Sequence, residues 1–264
     1  MYKINKGFTL SEVLITLVII GVVAAITVPI LMHQYRWKQY RTGLLKAVSS
    51  LNQASLKYKV EYGENPECGY WKTNPYNGKG CTAICKGYTQ EGNCQGFICR
   101  ENGNSIPDDY NGNFGDCVAL YNYYKKAMNV IKVCESNAYS NGCIPDYNGN
   151  DTAYKNKNDN VTDEDANKAT AGCTYFRKEK LKAGKAFVTA DGMIFMPYGS
   201  FAMPNIAVDV NGQAGPNKFG YDVHVLRTRM IDKYSVPTYS QGNCDFTEKG
   251  GVLTDTLLYG KNYM

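Results

Sequence analysis

Histidine is almost missing from this chain: two of 264 residues, His33 and His224. That scarcity excludes a multi-histidine metal centre and a histidine-rich proton relay. The ten cysteines form no C-x-x-C pair, so the spacing typical of zinc thiolate sites is lacking as well. No phosphate-binding glycine loop and no recognisable nucleophile–base–acid set occurs, which leaves an enzyme the least supported class. Charged residues make up 20 % and apolar ones 44 %, so wholesale disorder is not expected. The widest gap in charge lies at the start. Between Lys6 and Arg36 the sole charged side chain is Glu12.

What is abundant is tyrosine, at 22 residues, and cysteine, at positions 68, 81, 85, 94, 99, 117, 134, 143, 173 and 244. Eight of the ten fall between Cys68 and Cys143. An even number, dense in a loop-rich stretch, reads as disulfides in an oxidising compartment, with metal thiolates the weaker reading. Cys68, Cys81, Cys85, Cys94, Cys99, Cys117, Cys134, Cys143, Cys173 and Cys244 are therefore all disulfide candidates. Their pairing is left open by the spacing. Tyr enrichment in this stretch suits a contact surface.

From Phe8 to Met32 the chain reads FTLSEVLITLVIIGVVAAITVPILM. As a helix it reaches about 38 Å, enough to cross a hydrocarbon core of about 30 Å. A secretory signal would stop sooner; Ala24-Ala25 imitates its cleavage site, but the apolar run continues to Met32. Glu12 needs a reason, because an ionised carboxylate in mid-bilayer costs on the order of 2.5–3.5 kcal/mol. One reading places it near the membrane surface. The other supplies a cation: a cut before Phe8 creates an α-ammonium four residues away, or on a neighbouring copy.

Gly7-Phe8-Thr9-Leu10-Ser11-Glu12 followed by an apolar helix closely resembles the class III leader of type IV pilins and type II secretion pseudopilins. The resemblance implies cleavage between Gly7 and Phe8 by a prepilin peptidase, N-methylation of Phe8, and a role for Glu12 in filament assembly. Gly21 and Pro29 fall where these proteins carry a helix-softening glycine and proline. It covers about the first thirty residues. Arg36, Lys38, Arg41 and Lys46 follow the span, against Lys3 and Lys6 before it. The positive-inside rule alone would keep the C-terminal side in the cytoplasm. The cysteines and the family's topology argue for export, and large domains translocate largely regardless of charge.

Residues 33–62 continue the helix. Trp37, Tyr40, Leu44, Val48, Leu51, Tyr58 and Tyr62 give one apolar face, opposite Arg36, Lys38, Lys46, Lys57 and Lys59. Gly63 and Asn65-Pro66 supply the stop. Residues 63–175 read as a cysteine-rich insertion of pinned loops, with one predicted helix from Asp116 to Cys134 and a mobile surface loop over residues 151–168. A short repeat, IPDDYNGN at 106–113 and IPDYNGN at 144–150, lacks the glycine and glutamate an EF-hand requires. Asn-Gly turns explain it.

Residues 176–264 read as a small antiparallel sheet: a hairpin turning at Asp191-Gly192, then strands around Ile206–Val210 and Val223–Val225. The loop from Asp209 to Asp222 resembles one that holds calcium in some pseudopilins. Asp209, Asn211 and Asp222 are its candidate ligands, and a Gly/Asn/Pro-directed turn is the competing reading. His224 reads as a surface or edge residue.

The expected architecture is α+β: leader 1–7, transmembrane and assembly helix 8–32, amphipathic continuation 33–62, cysteine-rich insertion 63–175, and sheet region 176–264. The expected function is a non-enzymatic, pilin-like subunit, a minor pilin or pseudopilin, in a surface or periplasmic filament. Its expected partners are a prepilin peptidase, the cytoplasmic membrane and other pilin-like subunits. The alternative is a single-pass, disulfide-rich extracytoplasmic binding module that never polymerises. Calcium is the one candidate cofactor. The net charge of +5 does not point to nucleic acid, because residues 33–60 hold six basic side chains and no acid, while residues 61–264 hold 21 basic against 23 acidic. The positive charge is a collar where the helix leaves the membrane, suited to lipid headgroups or neighbouring subunits.

Overall fold

The structure is a computed structural model, and it describes residues 9–63, 71–73, 80–87, 89–90, 95–99, 102–106, 118–198, 205–229, 238–242 and 244–260. The chain divides into two units, Met1–Gln39 and Tyr40–Tyr263. One element, α1 (Leu10–Tyr62), is a single helix of 53 residues through Pro29. In the first unit every described residue from Thr9 to Arg36 is exposed. The fifteen large apolar side chains from Leu10 to Met32 that lie exposed are each between 43 % and 78 % accessible. Leaving them in water would cost on the order of 20 kcal/mol. That face is built to be covered from outside.

In the second unit α1 buries Tyr40, Leu44, Ala47, Leu51, Ala54 and Ser55, a stripe at the helical period. Val48 and Tyr58, expected on that face, are half-buried, and Tyr62 is 54 % exposed. The stripe lies on a six-stranded antiparallel meander in sequence order: β5 (Val130–Cys134), β6 (Ala186–Thr189), β7 (Ile194–Pro197), β8 (Asn205–Asp209), β9 (Val223–Arg229) and β10 (Thr238–Gln241). A second sheet, β1 (Trp71–Thr73), β2 (Gly80–Cys85), β3 (Phe97–Cys99) and β4 (Ser105–Ile106), is also antiparallel.

Three contacts fix α1 on the larger sheet. Gly43 approaches Val210 so closely that a Cβ there would sit 2.8 Å from the valine Cβ. Lys46 pairs with Asp191 at 2.8 Å, where Gly192 turns the β6–β7 hairpin at φ +86°. Farther on, the buried Ser55 hydroxyl meets Tyr239 at 2.8 Å and Tyr124 at 3.3 Å. Tyr124 comes from α2 (Val118–Ala127), and its hydroxyl also bonds that of Tyr239. Beneath the helix, register sets Phe187, Phe195, Val208 and His224 in one row across four strands.

The opposite sheet face is covered by part of the region expected as loops together with the segment that precedes β6. Ala138, Cys143, Ile144, Tyr147, Phe176 and Leu181 pack on Ala186, Ile194, Met196, Ala207, Val223 and Val225. Residues 151–168 are not a loop: they form α3 (Asn150–Lys157) and α4 (Asp163–Ala169). Thr162 caps α4, its hydroxyl accepting from the Asp165 amide while the Asp165 carboxylate accepts from the Thr162 amide, a reciprocal capping box. The helix expected over Asp116–Cys134 ends at Ala127, and Val130–Cys134 is strand β5. β-branched Val130, Ile131 and Val133 favour the extended backbone over the expected helix. Part of the tyrosine serves the core, since Tyr40, Tyr121, Tyr123, Tyr124, Tyr147, Tyr198 and Tyr239 are buried, while Tyr35, Tyr62, Tyr139, Tyr154, Tyr175 and Tyr259 are exposed.

Disulfides join Cys134 to Cys143 and Cys173 to Cys244. The second links the covering layer to the chain after β10. Cys99 is disulfide-bonded too, and no free cysteine occurs among the described residues. The side chains of Cys68, Cys81, Cys85, Cys94 and Cys117 lie outside the described residues. A short helix, α5 (Lys178–Ala183), precedes β6, and α6 (Thr254–Tyr259) ends the described chain. Arg41 donates from Nη2 to the Leu258 carbonyl at 3.3 Å.

Candidate functional site

The start of α1 is chemically specific. Thr9 donates its amide and its hydroxyl to Glu12 Oε2, each at 2.8 Å, and the Glu12 amide donates back to Thr9 Oγ1 at 3.3 Å. This is a capping box, which satisfies two orphan groups of the first helical turn. Its signal, T-x-x-E at 9–12, stands in the sequence, yet Thr9 was not identified as Glu12's partner there. Glu12 thus has a local partner before any neighbour is present.

From Val13 to Met32 no residue is charged. Those twenty residues span about 30 Å, the thickness of the hydrocarbon core. Glu12 is therefore at one edge of the apolar stretch, not in its middle. The two threonines inside are neutralised by the helix itself, Thr16 Oγ1 donating to the Val13 carbonyl and Thr27 Oγ1 to the Val23 carbonyl, both at 2.9 Å. Pro29 lies within the helix and withholds one backbone donor. A Cβ at Gly21 would meet nothing within 4 Å, so no packing inside the chain demands glycine there. Gly7 and Phe8 lie outside the described residues.

The second candidate is the loop between β8 and β9. Asp209 is buried at the end of β8 and accepts from the Asn211 amide at 3.1 Å, the Gly212 amide at 2.8 Å and the Tyr147 hydroxyl at 2.6 Å. Asp222, buried at the far end, accepts from the Asn217 and Lys218 amides, both at 2.8 Å. Both carboxylates thus clasp the turn. Burial pushes the Asp209 carboxyl well up, and the neighbouring Asp222 pushes it further. Burial raises Asp222 as well. Neither forms an ion pair with a basic side chain among the described residues. Asn211 Oδ1 is buried without a hydrogen-bond partner. The three candidate residues are therefore together, with one spare oxygen and two uncompensated acids. No cluster of three or more His, Cys, Asp or Glu side chains occurs among the described residues.

Two residues that anchor this loop went unread. Tyr147 arrives from the second IPDYNGN copy, and Glu248 accepts from the Asn148 side chain at 3.0 Å and the Phe219 amide at 3.3 Å. That repeat copy is structural, with Asp146 paired to Lys182 at 3.1 Å. The first copy lies almost wholly outside the described residues. His224 is not at the surface: it is fully buried, with Nε2 2.9 Å from the Tyr221 carbonyl and Nδ1 3.3 Å from Thr254 Oγ1. Burial lowers its pKa to about 4.

Residues 2–28 match the family model of the prokaryotic N-terminal methylation motif, the signature of pilins and pseudopilins. No curated protein and no solved structure matches the chain. The motif supports a pilin-like precursor and implies processing by a prepilin peptidase and association with the membrane.

Proposed function

We propose that this chain is the precursor of a structural subunit, a minor pilin or pseudopilin of a type IV pilus or type II secretion-type filament. The observation that carries this reading is the capped Glu12 at the head of a fully exposed, twenty-residue apolar stretch of α1 that overlaps the methylation motif. The precursor inserts with Val13–Met32 across the cytoplasmic membrane, its disulfide-bearing domain outside the cytoplasm. Cleavage between Gly7 and Phe8 then frees an α-ammonium next to Thr9 and Glu12. In the filament, helices of other subunits replace lipid around the apolar face. There Glu12 sits in a low dielectric, where pairing with a neighbour's α-ammonium offsets its burial and sets the stagger. Open space beside Gly21 lets a neighbouring helix approach closely. The role is structural, not catalytic.

The test is Glu12→Val. The variant inserts and is cleaved like the parent but yields no filaments; normal filaments from it would exclude the pairing role. A parent chain that itself never polymerises would instead favour a membrane-anchored binding module.

The proposal extends to calcium at the β8–β9 loop. Asp209, Asn211 and Asp222 would hold it, and the ion would neutralise two buried carboxylates that otherwise repel. The spare Asn211 oxygen supports this reading.

A further inference from the structure

We propose that the folded domain carries a binding cleft for an aromatic carboxylate, between α1 and the start of β5. The cleft holds about 350 Å³ and is half open to solvent, the size of a small-ligand site. The sequence makes room for it. Ser50, Ala54 and Lys57 fall on one face of α1, at i, i+4 and i+7, and the two small side chains leave a gap against the sheet. Met128, Met193 and Phe195 line that gap. Phe195 is buried and stacked on Phe187, with ring centroids 5.0 Å apart and planes 7° from parallel. Two thioethers beside a fixed ring favour an aromatic guest, because sulfur is attracted to ring edges.

The charges of the cleft select an anion. Asp191, on its rim, is already neutralised by Lys46 at 2.8 Å and by the Thr189 hydroxyl. Lys57 makes no ion pair, and the side chains of Lys57, Ser50 and Asn129 make no hydrogen bond among the described residues. Asn129 is nevertheless fixed, its carbonyl accepting from the Ala190 amide at 2.8 Å. An ammonium, a hydroxyl and a carboxamide thus surround an apolar floor with nothing from the chain to serve them. A cation would meet Lys57 with like charge. A neutral hydrocarbon would strip water from these donors and give nothing back. A carboxylate accepts from all three, and most strongly from the ammonium. The cleft lies wholly in the second unit, so the inference does not depend on filament assembly.

The experiment uses the full chain in non-ionic detergent, with carbon-13 in its methionine methyl groups, which are read by NMR. Met128 and Met193 report on the cleft, and Met196, buried on the other sheet face, is the control. Titration with 3-phenylpropionate shifts the Met128 and Met193 signals saturably in the low-millimolar range and leaves Met196 in place. Its amide, 3-phenylpropionamide, binds about fivefold more weakly, the ratio expected of one exposed ion pair. Lys57→Gln brings acid and amide to parity, while Lys57→Arg keeps the difference. A second arm replaces the free acid by N-acetylglycyl-phenylalanine. Tighter binding of that peptide assigns the carboxylate to the end of a polypeptide, and tighter binding of 3-phenylpropionate assigns it to a small molecule. No saturable shift of Met128 and Met193 with either acid up to about 20 mM would overturn the cleft as a site. Equal affinity for acid and amide in the parent, or a difference that survives Lys57→Gln, would overturn its selection of a carboxylate.

Discussion

The two units of this chain satisfy their apolar residues in opposite ways. From Leu10 to Met32 the large side chains all face outward, whereas Leu44, Leu51, Phe187, Phe195 and Val208 are within 2 % of complete burial. The first unit leaves its apolar face open, to be covered in the proposed role first by lipid and then by other helices; the second completes its own core. Its polar groups follow the same division. Glu12 is held by a neighbour three residues away, while Asp209 adds to its local amide donors the Tyr147 hydroxyl, 62 residues away. Local chemistry can be recognised from a short motif, and residues 2–28 match one. Chemistry assembled from distant residues leaves no such mark.

That contrast predicts a double dissociation. Glu12→Val should abolish assembly and leave thermal unfolding of the folded domain unchanged. Removal of the Cys173–Cys244 disulfide by serine substitution should do the reverse, weakening the domain before any effect on cleavage. The loop it closes spans 71 residues of sequence separation, against 9 for Cys134–Cys143. Chain entropy gives about 4.4 kcal/mol for the longer and about 2.7 kcal/mol for the shorter. Chemical unfolding of the full chain in detergent checks the order; a larger loss from Cys134→Ser than from Cys244→Ser would contradict it.

Smaller effects test the buried acids. Asp245 accepts from the Val225 amide at 3.2 Å, the Thr254 amide at 2.8 Å and the Thr254 hydroxyl at 2.9 Å, and burial pushes its pKa up to about 6. A carboxyl raised in the folded state holds its proton there while the unfolded chain has lost it. Its effect is thus a loss of stability as pH rises from about 4 to about 6, worth about 3 kcal/mol. His224, lowered to about 4, acts in the opposite sense over the interval from pH 6.5 down to 4. Asp209 and Asp222 are raised and act with Asp245, so the domain should be more stable at pH 4.5 than at pH 6. Asp245→Asn should flatten that slope; an unchanged slope would remove Asp245 from the account.

The weakest predicted effect is calcium. With a dissociation constant of the weak extracellular kind, 0.1–1 mM, about 2 mM calcium stabilises by roughly 0.6–1.8 kcal/mol. The shift should vanish in Asp222→Asn. A melting temperature indifferent to calcium in the parent would remove the ion from the proposal.

Much of this was legible, for reasons particular to each element. The Asp191-Gly192 hairpin and strands β8 and β9 follow from turn residues and alternation, which are local. The capping boxes at Thr9 and Thr162 were equally local but unread, the first because Glu12 was weighed only against charged partners. Strand β5 was hidden because Ile131 continues the three- and four-residue spacing of Leu120, Tyr124, Ala127 and Met128 and so fitted a helix as well. His224 looked like an edge residue because its cover, Thr254, lies thirty residues on. The Cys173–Cys244 pairing follows from the fold of both sheet faces, and no spacing rule contains it.

The central claim concerns one peptide bond, between Gly7 and Phe8. Mass spectrometry of the mature protein's N-terminal peptide reads it directly. Cleavage before Phe8 with a methyl group on its α-amine is the predicted result. A chain intact at Met1, or cut near Ala25, would contradict the account.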